Sequence, residues 1–166
     1  MSPKVMISVV LLGILLLVAS QGLYVVTERE RAIELKFGEV VEADIPPGLH
    51  WKMPFINTVK RFDGRVLTLD TNPSRFLTLG KKYVIVDSFA KWRINDVRAY
   101  YKATSGDRMQ ASNLLSNLVN KGLRDEIATR TLHDVVSGER DELMTLLTAS
   151  LNTQTQGDLG IEILDL

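Results

Sequence analysis

The chain contains no cysteine, so disulfides, CxxC redox chemistry, thiolate zinc sites and a cysteine nucleophile are excluded from the outset. Their absence does not fix the compartment, since many proteins of oxidising spaces also lack them. Histidine is nearly as scarce. A two-histidine metal site would have to use both His50 and His133, and neither has the HExxH spacing that sets two imidazoles on one helix face. Neither a GxGxxG nor a GxxxxGKS/T phosphate loop occurs. No sign of charge is in excess: 20 Lys and Arg stand against 20 Asp and Glu, interspersed, which leaves no basic stripe for nucleic acid. One stretch has no charge at all, from Val5 to Thr27, and Lys4 is the single charged side chain before it. The remainder is almost neutral and long enough for one ordinary domain or two small packed lobes, not for a large multidomain enzyme.

Val5 to Val26 reads VMISVVLLGILLLVASQGLYVV, 22 residues. As a helix rising about 1.5 Å per residue it spans roughly 33 Å, against a bilayer core of about 30 Å. The pattern predicts a single membrane anchor over residues 1–26, carried by Ile7, Val10, Leu11, Leu12, Ile14, Leu15, Leu16, Leu17 and Val18, with Tyr24 at an interfacial depth. A cleaved signal peptide is the rival, because Lys4 supplies a basic start and Val18-Ala19-Ser20 a tolerable cleavage site. Against it, Leu23 to Val26 prolong the apolar run beyond what a short leader needs. A buried soluble helix is the third reading, disfavoured because a helix apolar on all sides is hard to bury in so small a domain. Arg29 and Arg31 are interleaved with Glu28 and Glu30, so the isolated cationic tail at Lys4 sets the N-terminus in the cytoplasm and the bulk across the membrane.

Beyond the anchor the first half reads as strands. Ile33, Leu35 and Phe37 alternate with Glu34 and Lys36, the period of a strand with one wet face, and Gly38 permits a turn into Glu39-Val40-Val41. In IPPGLHWKMPF the prolines at 46, 47 and 54 rule out a regular helix or central strand, while Leu49, Trp51, Met53, Phe55 and Ile56 are too apolar for a solvated loop. Such a loop either packs back on the sheet or dips into a bilayer interface, where Trp and Phe are favoured. Thr58 to Asp70 gives two strand pieces split near Asp63-Gly64. Lys82 to Ile94 gives one longer strand with Val84, Val86, Ala90, Trp92 and Ile94 on a face, joined to them through a hairpin-like TNPSRFLTLGKK. Composition changes at Asn95. A short helix over Asn95–Ala103 begins at Asp96. A longer one over Asp107–Arg130 is capped by Asp107 and carries Ala111, Leu114, Leu115, Leu118 and Gly122, widened by Val119, Leu123 and Ile127. A third over Glu139–Gln154 buries Leu143, Leu146, Leu147 and Leu151, and after Gly157 and Gly160 a last strand carries Ile161 and Ile163. The expected fold is α+β: anchor, a β-rich lobe over 27–94, then an α/β lobe over 95–166. The chain stops inside its last strand, which gives the expectation of a longer parent protein.

Catalysis finds little support. His133-Asp134 with Ser137 nearby has the residue types of a triad, but sequence neighbours do not supply triad geometry and no GxSxG elbow accompanies them. Helix capping explains them. Asp125-Glu126 and Asp141-Glu142 sit on helices among polar residues, as solvated faces do. No catalytic, cofactor-binding or metal-ligating residue is assigned.

Several segments together resemble a known family. ERERAIELKFGEV (28–40), PPGLHWKMPFINTVKRFDGRV (46–66) and VDSFAKWRINDVRAYY (86–101) are similar to consecutive signatures of the SPFH or band 7 family of stomatin, prohibitin, flotillin and HflK/HflC, closest to the bacterial HflC branch. RDEIATRTLHDVVSGERDEL (124–143) and GIEILDL (160–166) follow in the same order. The resemblance implies a non-catalytic membrane scaffold without a cofactor. Its partners would be an HflK-like SPFH protein, with which it forms a cage, and an FtsH-type AAA protease enclosed on the periplasmic side of the bacterial inner membrane. It also implies that Leu49, Trp51, Phe55 and Ile56 meet the outer leaflet. The family continues past the last strand into a long helical region.

Overall fold

A computed structural model of the chain describes residues 12, 13, 17, 20–131, 133, 135 and 140–166. It divides into two compact units, Met1–Asp63 and Gly64–Leu166.

In the first unit the strands are Leu23–Val26 (β1), Glu30–Lys36 (β2), Glu39–Ile45 (β3), Gly48–Trp51 (β4) and Asn57–Asp63 (β5). They form an antiparallel sheet in the order β3-β2-β5 and a two-stranded antiparallel ribbon of β1 and β4. Two readings of the sequence are corrected here. Leu23–Val26 is not the tail of a span. It is a strand whose alternate residues Tyr24 and Val26 pack with Ala32 and Ile45, so Tyr24 belongs to the core and not to an interface. Nor is the proline-rich segment all loop: Pro46 and Pro47 precede β4, which pairs on one side only, and a ribbon edge tolerates what a central strand does not. Strand β2 is covered on both faces, because Ala32, Ile33, Glu34 and Leu35 are all buried. The expected wet residue Glu34 is thus inside, and its carboxylate accepts a hydrogen bond from the Asn57 side chain. Phe37 leaves the strand and sits in the turn to β3.

In the second unit Leu67–Asp70 (β6), Ser74–Leu77 (β7), Tyr83–Val86 (β8) and Phe89–Ile94 (β9) precede three helices, Val97–Thr104 (α1), Arg108–Ala128 (α2) and Arg140–Asp158 (α3), and the strand Ile161–Asp165 (β10). The single strand expected over Lys82–Ile94 is two. β8 pairs with β7 and β9 with β6, and the step between partners falls where Thr71 Oγ1 donates to the Ser88 carbonyl at 2.7 Å. The change of composition at Asn95 falls inside this unit, since β9 before it pairs with β10 after it. Ala90, Trp92 and Ile94 of β9 are buried, as are Ile161 and Ile163 of β10, the strand on which α3 packs.

Capping sets the helix starts. The Asp96 carboxylate accepts from the amides of Arg98 and Ala99 at 2.8 and 3.1 Å, and that of Asp107 from Met109 at 2.8 Å. On α2 the deepest line is Ala111, Leu115, Val119, Leu123 and Ile127, with Leu114, Leu118 and Gly122 flanking it. Gly122 lets α3 approach, because a Cβ there would lie 2.8 Å from Leu147 Cδ1. On α3 Leu143, Leu147 and Leu151 are buried while Leu146 faces out, and Gly157 lies within the helix and does not end it. Asn152 ties α3 to β10: its Nδ2 donates to the Ile163 carbonyl at 2.8 Å and its Oδ1 accepts from the Ile163 amide at 2.7 Å. This clamp sits beside the irregularity between Ile163 and Asp165, where ladder bonding to β9 is interrupted. Asn152→Ala leaves both backbone groups unpaired, and a loss of about 2 kcal/mol is expected in urea unfolding followed by circular dichroism. A change below about 0.5 kcal/mol, the range of ordinary surface substitutions, would show the clamp to be idle.

Candidate functional site

Among the exposed side chains of the first unit is a contiguous apolar set. In the β1–β4 ribbon Leu23 pairs with Trp51 and Val25 with Leu49, and residues directly opposite in an antiparallel pair share a face. The register therefore sorts an apolar run into two surfaces. Tyr24 and Val26 turn inward, while Leu23, Val25, Leu49 and Trp51 line the other face, each between 53% and 67% exposed. Lys52 closes the ribbon by donating its amide to the Gly22 carbonyl at 2.8 Å, and Gly22 is the residue a side chain would not allow, since a Cβ would lie 2.5 Å from Trp51 Nε1. The turn that follows brings Met53 and Phe55 to the surface, Phe55 at 85% exposure, before Asn57 bonds back to Met53 O at 3.1 Å. Beneath the ribbon the His50 ring lies 5.6 Å from the Tyr24 ring and donates from Nε2 to the Pro46 carbonyl at 2.7 Å. Burial pushes the Tyr24 hydroxyl above its ordinary pKa, and the Glu34 and Glu42 carboxylates add to the shift.

Of the four residues expected at an interface, Leu49, Trp51 and Phe55 are exposed together and Ile56 is half-buried. Sequence reasoning missed Leu23, Val25 and Met53 as members of the same surface. Period-two alternation was present at 23–26, but an uninterrupted apolar run does not display it. Of the anchor residues, Ile7, Val10, Leu11, Ile14, Leu15, Leu16 and Val18 lie outside the described residues, whereas Leu12 and Leu17 are helical and exposed. Among the described residues no helix is long and apolar enough to cross a membrane.

The catalytic candidates do not assemble. Among the described residues no group of three His, Asp or Glu side chains has metal-binding spacing. Asp134 and Ser137 lie outside the described residues. Glu126 is held by Arg130 at 3.0 Å, and Asp141 and Glu142 occupy the exposed first turn of α3, where negative charge suits the helix dipole. A hollow of about 450 Å³ in the second unit is lined mainly by Val84, Val86, Phe89, Ile127, Leu143 and Met144. Its Ser88 hydroxyl is engaged by the Thr71 hydroxyl at 2.7 Å.

The molecule is a mixed α/β domain whose distinctive exposed chemistry is an apolar strand face and turn, with no assembled catalytic cluster among the described residues. A family model for the SPFH domain / Band 7 family matches residues 24–166, and the chain belongs to that family. It is 44% identical over 157 residues to Protein HflC of Haemophilus influenzae, covering 89% of this chain and 53% of that protein. It is 41% identical over 157 residues to Protein HflC of Buchnera aphidicola from Acyrthosiphon pisum, covering 90% and 50%. With Modulator of FtsH protease HflC of Escherichia coli K12 it shares 42% over 151 residues, covering 87% and 45%. The chain thus spans about half the length of the curated relatives it matches. The last of these relatives is named for modulating a protease and not for being one.

Proposed function

We propose that the chain is the membrane-proximal part of a non-catalytic scaffold that modulates an FtsH-type AAA protease. It would be anchored once in a bacterial inner membrane, with its N-terminus cytoplasmic and its bulk periplasmic, and would assemble with an HflK-like SPFH partner into a cage. The observation that carries this reading is the register of β1 and β4. It collects Leu23 and Val25, from the end of the uncharged run, with Leu49 and Trp51 on one exposed face. Gln21 and Gly22 form a turn, so residues 5–20 would supply roughly 24 Å as a helix at about 1.5 Å per residue, a short span of the kind that local bilayer thinning accommodates. Charge at the two ends of that run favours the stated orientation, and the names of the relatives favour the regulatory role. The exposed face would rest in the interface, where apolar and aromatic side chains gain by leaving water.

The reading is tested in intact cells. A periplasm-active reporter enzyme fused after Leu166 is expected to be active, and the chain to resist carbonate extraction. Affinity capture of the parent protein of this chain is expected to retain an FtsH-type protease and an HflK-like protein, and a serine-directed fluorophosphonate to leave it unlabelled. Cytoplasmic reporter activity would reverse the topology, and stoichiometric fluorophosphonate labelling would replace the scaffold by a hydrolase.

A further inference from the structure

Two phenylalanines of the first unit hold the left-handed backbone conformation, Phe37 with φ of 52° and Phe55 with φ of 70°. That region is costly for a bulky L-residue. Phe37 and Gly38, with φ of 90°, form the two-residue connection from β2 to β3, and positive φ at both positions is the type I′ pattern that ordinarily selects Asn, Asp or Gly first. Packing within the chain does not offset the cost, because Phe37 is 83% exposed. An aromatic residue placed against backbone preference and left mostly in solvent points to a contact outside the chain.

The register shows where that contact lies. Lys36 pairs with Glu39 on one side and with Asn57 on the other, so the Phe37–Gly38 turn and the approach through Phe55 and Ile56 leave the same end of the β3-β2-β5 sheet. Lys52, hydrogen-bonded to Gly22, leads directly into the Phe55 turn, so the uncharged run also enters at this end. A surface beside the mouth of a membrane span is within reach of the lipid that the span occupies. Exposed Lys36 and half-buried Lys52 flank the rings, and such side chains reach headgroup phosphates while their stems follow apolar surface.

We propose that Phe37 is a second membrane-inserting residue, so that the unit meets lipid through two separate turns in addition to the β1–β4 face. This rests on the membrane-facing reading above. The absence of cysteine provides the test. Phe37→Cys, Phe55→Cys and, at the opposite end of the sheet, Glu28→Cys are each labelled with an environment-sensitive fluorophore in the full chain, reconstituted in vesicles of phosphatidylethanolamine and phosphatidylglycerol. Labels at 37 and 55 are expected to emit to the blue of the label at 28, and to be quenched several-fold more by lipids spin-labelled near the top of the acyl chain. A label at 37 that behaves as the one at 28, while that at 55 is quenched, overturns the role of Phe37 and leaves the interface standing. If 37 and 55 both remain aqueous, the interface reading falls with it. A blue shift at 37 without lipid quenching assigns the ring to a protein contact and also overturns the proposal. Phe37→Asn, which suits the turn, is expected to melt at or above the parent temperature; a clear fall would show that the ring serves the fold.

Discussion

Gly160→Ala is expected to destabilise the second unit more than any other single substitution considered, with a steep fall in its unfolding midpoint. Gly160 turns the chain from α3 into β10 with a φ of 64°, in the left-handed region where alanine is already strained. Its carbonyl accepts both the Asn95 and Asp96 amides, at 2.9 and 3.0 Å, which seats the start of α1 against the turn. A Cβ at this position would collide with the Asp96 carbonyl oxygen and lie 2.8 Å from the Tyr100 amide nitrogen and 3.0 Å from Ala99 Cβ. Two of those three neighbours are backbone and cannot swing aside. Strain and collision together place the change among the large destabilisations, on the order of 4 kcal/mol or more, against a total stability of about 5–15 kcal/mol for a domain. The control is Gly157→Ala, three residues earlier in α3, where a Cβ meets nothing within 4 Å. Relief of helix entropy there is expected to stabilise by roughly 0.5–1 kcal/mol. A Gly160→Ala chain that melts within a few degrees of the parent would show that the turn adapts and that the latch onto α1 is dispensable.

That turn illustrates what the sequence disclosed and what it withheld. Gly160 was readable as a helix stop, and so were the caps at Asp96 and Asp107, because a capping carboxylate acts on amides two or three residues away. Local signals of this kind survive in one dimension. The helix cores were nearly as legible: an apolar stripe is periodic, although only tertiary packing selects Leu115, Val119 and Leu123 as its centre over Leu114 and Leu118. Pairing partners were not legible. Nothing local to Leu23–Val26 distinguishes the end of an apolar helix from a strand. The difference is made by β4, more than twenty residues downstream, whose backbone it bonds. The same non-locality hid the burial of Glu34, which is held by Asn57 on a neighbouring strand. It also hid the break at Asp87-Ser88, imposed by Thr71. For the candidate site, composition was enough to mark the proline-rich segment as apolar where a loop should be wet. Only register could divide its neighbours into an inward and an outward face.

Trp51→Glu combined with Phe55→Glu is the change expected to affect function most while sparing the fold. Both side chains sit on the exposed surface, Phe55 at the crest of its turn and Trp51 on the outer face of β4, and neither belongs to the cluster of Tyr24, Val26, Ala32 and Ile45 beneath. Fully burying a side chain of the size of phenylalanine contributes about 1.5–3 kcal/mol, so losing two at an interface weakens lipid binding on the order of a hundredfold or more. The glutamates act in the same direction, since carboxylates are repelled by anionic headgroups. Flotation of residues 20–166 with vesicles of phosphatidylethanolamine and phosphatidylglycerol measures the effect without the uncharged run, whose own affinity for lipid would mask it. Melting followed by circular dichroism measures the fold alongside. Because Trp51 lies over Gly22, a fall of a few degrees is within expectation, and Leu49→Glu, on the same face and free of that contact, serves as the second variant. Loss of flotation by both variants with the fold intact identifies the face as the lipid contact. Collapse of the fold in both would place these side chains in a structural role. Undiminished flotation with the fold intact would move the membrane contact off the β1–β4 face altogether, and with it the idea that this unit is held upright by a second foothold beside its anchor.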